Sequence, residues 1–140
     1  MKILAAIDQS EYATLVLTKA MKLAAQEGAE LTALTISNAP YTNLYLGEIS
    51  GEFLDKMREG VQKTVSRAQE QAKAAGAKVN VVVEESPSAA DAIVKYAEKN
   101  NIDLIVIGNK GAGAVERFLI GSVSSQVVTH SPCSVLVVKK

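Results

Sequence analysis

Residues 103–122 read DLIVIGNKGAGAVERFLIGS. The apolar run ending at Ile107 feeds straight into Gly108, and the glycines that follow keep the spacing Gly108-x2-Gly111-x9-Gly121-Ser122. Glycine lets a main chain approach an anion closely and adopt positive φ without a side-chain penalty. Ser122 stands where a new helix is expected to begin, so free amides and a hydroxyl would face the same anion. Strand, glycine turn and helix start, in that order, make a phosphate site built from backbone.

The flanking sequence supplies the rest of an α/β fold. Residues 2–7 (KILAAI) form a short apolar strand that stops at Asp8, and Ser10 offers an N-cap for a helix to about Gln26, with Gly28 as its stop. Ala13, Val16, Leu17, Ala20 and Ala24 recur at three- and four-residue steps and give that helix a buried stripe. Residues 30–36 read as a second strand, 37–50 as a loop with Tyr41 and Tyr45, and 51–75 as a helix carrying Leu54, Met57, Val61, Val65, Ala68 and Ala72 on one face. Residues 77–84 form a third strand. Ser86-Pro87-Ser88 then turns the chain into a helix packed through Ala89, Ile93, Tyr96 and Ala97. Residues 102–107 are the fourth strand, a helix spans about 122–131, and a last strand starts at Ser134. Strands alternating with helical crossovers predict a parallel sheet with right-handed connections and helices on both faces. Ligands of such sheets bind beyond the carboxyl ends of the strands where strand order reverses. If the first and fourth strands meet there, Asp8 and Gly108 lie side by side.

Composition narrows the function. At 140 residues the chain suits a single domain, 1–140. Hydrophobic residues make up 48% but aromatics only 4%, so the core must be aliphatic and layered. Fifteen basic residues balance fifteen acidic ones, which leaves no global field for nucleic acid or an anionic membrane. Cys133 is the only cysteine, so no internal disulfide forms, and no Cys/His cluster has metal-ligand spacing. Five apolar residues between Lys2 and Asp8 are too few for a signal-peptide core, and no run approaches the ~20 residues of a membrane span. A cytoplasmic protein is expected.

Other chemistries fail on the letters themselves. A Walker A loop needs Lys then Ser or Thr after Gly113, where Ala114 and Val115 stand. A dinucleotide fingerprint needs Gly-x-Gly-x-x-Gly after the first strand, where Asp8-Gln9-Ser10-Glu11 stand. Ser122, Ser124 and Ser125 lack the Gly-x-Ser-x-Gly setting of a hydrolase nucleophile. His130 is placed at a helix end, where the dipole accounts for it. Cys133 reads as a small apolar residue. Lys110 either neutralises phosphate charge or is a solvated loop lysine, and Glu116 with Arg117 forms either a gate or a surface pair. The Tyr41 and Tyr45 pair, without a basic patch, reads as a cover over the pocket or sheet edge.

The chain resembles the universal stress proteins, and within them the branch that binds ATP. The resemblance spans essentially the whole chain: ILAAIDQS at 3–10, GAELTAL at 28–34, DLIVIG at 103–108, GSVSSQVV at 121–128 and HSPCSVLVVKK at 130–140. The spacing of Gly108, Gly111, Gly121 and Ser122 is that family's ATP-binding signature. The resemblance implies a three-layer α/β/α sandwich, Rossmann-like and adenine-nucleotide alpha-hydrolase-like, with five parallel strands in the order 3-2-1-4-5.

It also implies a site. Asp8 holds the ribose, with capping of the first helix as its other possible role, and Ser10 is an N-cap or a secondary ligand group. The main chain near Ile7 and Ile36 frames the adenine, Ile107 belongs to the same ATP site, and Gly108 backs the ribose. Gly111, Gly121, Ser122, Val123 and Ser124 surround the phosphates, with Mg2+ or Mn2+ held on the phosphates themselves. Family members pair through the last strand, which here implies a homodimer through Val135 to Val138. Asp8-Gln9-Ser10 replaces the family's Asp-Gly-Ser and puts a bulky side chain near the pocket mouth. Glu85-Ser86-Pro87 replaces Gly-x-Pro before the third helix.

The expected function is a dimeric, nucleotide-dependent regulatory module acting on an unknown protein partner. Without a plausible general base, ATP hydrolysis is expected to be slow or absent. The alternatives are a dimeric interaction module whose pocket is empty or closed by Gln9 and the loop after the second strand, and an enzyme cleaving ATP or transferring a nucleotidyl group.

Overall fold

The computed structural model describes residues 1–38, 51–110 and 120–140. Five strands form one sheet: β1 (Lys2–Ala6), β2 (Glu30–Ser37), β3 (Val79–Glu85), β4 (Leu104–Gly108) and β5 (Ser134–Val138). All pairings are parallel and the order is β3-β2-β1-β4-β5, as the resemblance implies. β1 is central, aligning Ala5 with Ala33 on one side and with Val106 on the other. A strand covered on both faces needs an unbroken apolar run, and Ile3, Leu4 and Ala5 are fully buried.

Four helices among the described residues cover the two faces. Alternation along β1 separates their contacts: Ile3, Ala5 and Ile7 meet Val16, Leu17 and Ala20 of α1 (Tyr12–Glu27) and Ala68 of α2 (Gly51–Ala74). Leu4 and Ala6 meet Ala90, Ile93 and Ala97 of α3 (Ala89–Lys99) and Val127 of α4 (Ser122–His130). Gly28 ends α1 at φ 62°, a left-handed position that a β-carbon disfavours, and Ala29 then donates to the Ala24 carbonyl at 2.9 Å. Ser88 caps α3 by accepting the Asp91 amide at 3.2 Å. No described helix is long and apolar enough to cross a membrane.

Several boundaries differ from the sequence reading, each for a local reason. α1 starts at Tyr12 with Glu11 as a helical N-cap residue that makes no side-chain cap bond. Ser10 stands one residue ahead of that position, with its amide on Asp8 Oδ1 at 2.8 Å and its hydroxyl accepting the Tyr12 amide at 3.3 Å. β3 begins at Val79 because Ala77 still donates to the Ala72 carbonyl and closes α2. Along α2 the burial falls on Thr64, Ala68 and Ala72, whereas Leu54, Met57, Val61 and Val65 are half-buried. Its 24 residues run about 36 Å, longer than the roughly 27 Å of eight-residue β2, so its first turns overhang the sheet.

Candidate functional site

Strand order reverses at β1 and β4, and the chain leaves both strands at the same edge of the sheet. Past β1, Ile7 donates to the Leu34 carbonyl at 2.9 Å and extends the ladder by one residue. Asp8 then leaves the sheet exposed, with Oδ1 occupied by the Ser10 amide. Past β4, the Asn109 amide donates to Val138 at the end of β5, and the Asn109 carbonyl accepts the Gly121 amide, both at 2.8 Å. These two bonds tie the end of β4 to the end of β5 and to the start of α4.

Gly121 is the extended N-cap of α4, and the first bond of the helix ladder runs from Ser125 to its carbonyl at 2.9 Å. The amides of Ser122, Val123 and Ser124 therefore precede the ladder, as the first donors of any helix do. Ser124 is buried and gives its hydroxyl to the Gly108 carbonyl at 2.5 Å, which docks the helix onto the last residue of β4. Gly108 itself is pressed by Tyr12: a β-carbon there would lie 2.9 Å from Tyr12 Cβ and 3.1 Å from its ring. Close packing against α1 alone requires glycine at that position.

A cavity of about 520 Å³ opens between these elements. Ala6, Ile7, Leu34, Ile36 and Ile107 come to it from the sheet, Ala89 and Ile93 from α3, and Tyr12, Ala13 and Val16 from α1. Asp8, Ser10, Gly108, Lys110, Gly121, Ser122, Val123 and Ser124 supply the remaining wall. An apolar slot with a polar flank suits a ligand that is part ring and part polar group. Asp8 is the one carboxylate and Lys110 the one cation among the described lining residues. Among the described residues no three His, Cys, Asp or Glu side chains gather as a metal-binding group.

Ten residues singled out from the sequence come together here: Ile7, Asp8, Ser10, Ile36, Ile107, Gly108, Gly121, Ser122, Val123 and Ser124. Gly111 lies outside the described residues, as do Glu116, Arg117, Tyr41 and Tyr45. His130 and Cys133 do not line the cavity, and Cys133 packs half-buried under the α3 and α4 face. Gln9 differs from the expectation of a side chain at the pocket mouth. Its amide lies over α2 where a β-carbon on Gly60 would overlap it, and it lines an adjoining cavity of about 280 Å³ with Thr64, Arg67 and Gln71, which shares Ile7, Asp8, Ser10 and Ala13 with the first. Ser86 only makes a turn, donating its amide to Ser37 at 3.0 Å and its hydroxyl to Ser88 at 3.0 Å.

Sequence reasoning missed Tyr12 and the α3 wall. Ala13, Val16, Ala89 and Ile93 carry the ordinary signature of helix packing, and they serve the core and the cavity together. Tyr12 carried a weak signal: an aromatic ring in the first helical turn, four residues after Asp8.

Comparison with known proteins adds an independent line. The model of the universal stress protein family matches residues 1–139. The chain is 36% identical over 140 residues to a Staphylococcus haemolyticus protein named as a universal stress protein, covering 98% of this chain and 83% of that one. Among solved structures it is similar to the universal stress protein UspA from Lactobacillus plantarum, at 29% identity and a TM-score of 0.80, covering 99% and 97% of the two chains. It is also similar to a universal stress protein in complex with cAMP, at 26% identity and a TM-score of 0.71, covering 99% and 96%.

Proposed function

The chain belongs to the universal stress protein family, and from that premise we propose that it binds an adenine nucleotide, ATP above all, in the crevice between the ends of β1 and β4. The observation that carries this reading is the convergence of Asp8, Gly108 and the first turn of α4 on one largely apolar cavity. The adenine enters between Ile36, Ile93 and Ile107, and the ribose meets the Asp8 oxygen that the Ser10 amide leaves free. The phosphates meet the amides of Ser122, Val123 and Ser124. A helix N-terminus stabilises an anion by only about 0.3–2 kcal/mol, so several amides must converge. The related protein in complex with cAMP supports an adenine ligand.

ATP carries more negative charge than this wall can offset, so Mg2+ or Mn2+ travels on the phosphates. Asp8, the one carboxylate among the described lining residues, is taken up by the ribose in this reading, and no His or Glu stands beside it to serve as a base. The role proposed is accordingly regulatory: a homodimer paired through Val135 to Val138 reports nucleotide occupancy to a protein partner and cleaves ATP slowly if at all.

Calorimetric titration with ATP and magnesium tests the reading. Wild type should bind in the micromolar to millimolar range, and Asp8→Ala and Gly111→Val should each weaken binding about tenfold or more. Absence of binding by folded wild type would remove the proposal.

A further inference from the structure

We propose that Lys110 makes this cavity select a phosphorylated nucleoside over the bare nucleoside, an inference that rests on the adenine-nucleotide reading of the same site. Lys110 is half-buried and lines the cavity beside Gly121 and Ser122. The residue before it is held on two sides, its amide on Val138 and its carbonyl on the Gly121 amide, both at 2.8 Å. Lys110 therefore springs from a fixed peptide next to the N-cap of α4, and less freedom is lost when its side chain engages an anion.

Charge placement gives the site a direction. Lys110 forms no ion pair among the described residues, as most described lysines do not, and it is set apart by being the one cation among the described lining residues. Asp8, the single described anion of the wall, stands on the β1 side and repels phosphate. Lys110 stands on the β4 side with the leading amides of α4. A ligand with a neutral sugar and an anionic tail is thus oriented sugar to Asp8 and phosphate to Lys110. Helix amides alone favour an anion weakly. An ammonium adds a charge-assisted bond that a nucleoside cannot use.

Adenosine, adenosine monophosphate and ATP with magnesium would be titrated into wild type, Lys110→Gln and Lys110→Arg at low and high salt, by NMR where binding is weak. Lys110→Gln should lose about tenfold in affinity for both phosphorylated ligands and less than about twofold for adenosine. Lys110→Arg should recover most of that loss, and high salt should shrink the phosphate advantage in wild type more than in Lys110→Gln. An equal loss for adenosine and its monophosphate would make Lys110 a structural residue and overturn the inference. Unchanged binding of all three would leave it a solvated lysine and overturn it as well. Wild type that binds phosphorylated ligands no better than adenosine refutes the selectivity alone, whereas wild type that binds none of the three refutes the adenine-nucleotide reading too.

Discussion

Tyr12 and Gly108 touch so closely that a β-carbon on Gly108 would lie 2.9 Å from Tyr12 Cβ. Cβ of Tyr12 is fixed by the first turn of α1 and cannot swing aside as a side-chain tip would. Gly108→Ala should therefore destabilise the fold by about 1–3 kcal/mol through overpacking. Tyr12→Ala clears the ring but not Cβ, so the double variant should regain part of that loss in a urea-unfolding cycle. Full additivity of the two changes would contradict the contact.

Ser124 gives its hydroxyl to the Gly108 carbonyl while its amide stands in the first turn of α4. Hydroxyl and amide have separate tasks. Ser124→Ala should cost about 1–3 kcal/mol of stability by leaving a buried carbonyl short of a donor, with ATP affinity held within about threefold because the amide remains. A stable Ser124→Ala protein with a large loss of affinity would instead assign the hydroxyl to the ligand.

Gln9 and Gly60 form the opposite case, because the group that meets a β-carbon there is the far end of a flexible side chain. Gly60→Ala gains up to about 1 kcal/mol of helix propensity inside α2 and displaces only the Gln9 amide. Stability should change by less than about 1 kcal/mol, and ATP affinity in both Gly60→Ala and Gln9→Ala should stay within about twofold. A tenfold change in either would bring Gln9 into the nucleotide site.

Among the described residues no strand pairs with the outer side of β3 or β5, and the two edges differ in chemistry. β3 exposes Asn80, Glu84 and Glu85, which discourage further pairing. β5 reads SVLVV with Val135 to Val138 half-buried and no charge within the strand. Sedimentation at micromolar concentration should show a dimer, and a monomer would contradict pairing through β5.

The strands were legible because a sheet covered on both faces demands unbroken aliphatic runs, and KILAAI, ELTALTI and DLIVI meet that demand in plain letters. The crevice was legible for a similar reason: Asp8 and Gly108 each end such a run, and parallel pairing brings run ends together. What stayed hidden depends on direction within a turn. Nothing in Asp8-Gln9-Ser10 says that Asp8 takes the Ser10 amide, or that Gln9 turns to α2. Gly108 looked like a ligand-facing glycine, and its contact with Tyr12 joins residues 96 positions apart, which no local spacing reveals.

A nucleotide held between Asp8 and the first turn of α4 would be visible in a crystal structure grown with saturating ATP and magnesium. Adenine should lie between Ile36 and Ile93, ribose on Asp8, and phosphate oxygens within hydrogen-bond distance of the Ser122, Val123 and Ser124 amides. An empty cavity under those conditions, or ATP bound elsewhere on the protein, would contradict it.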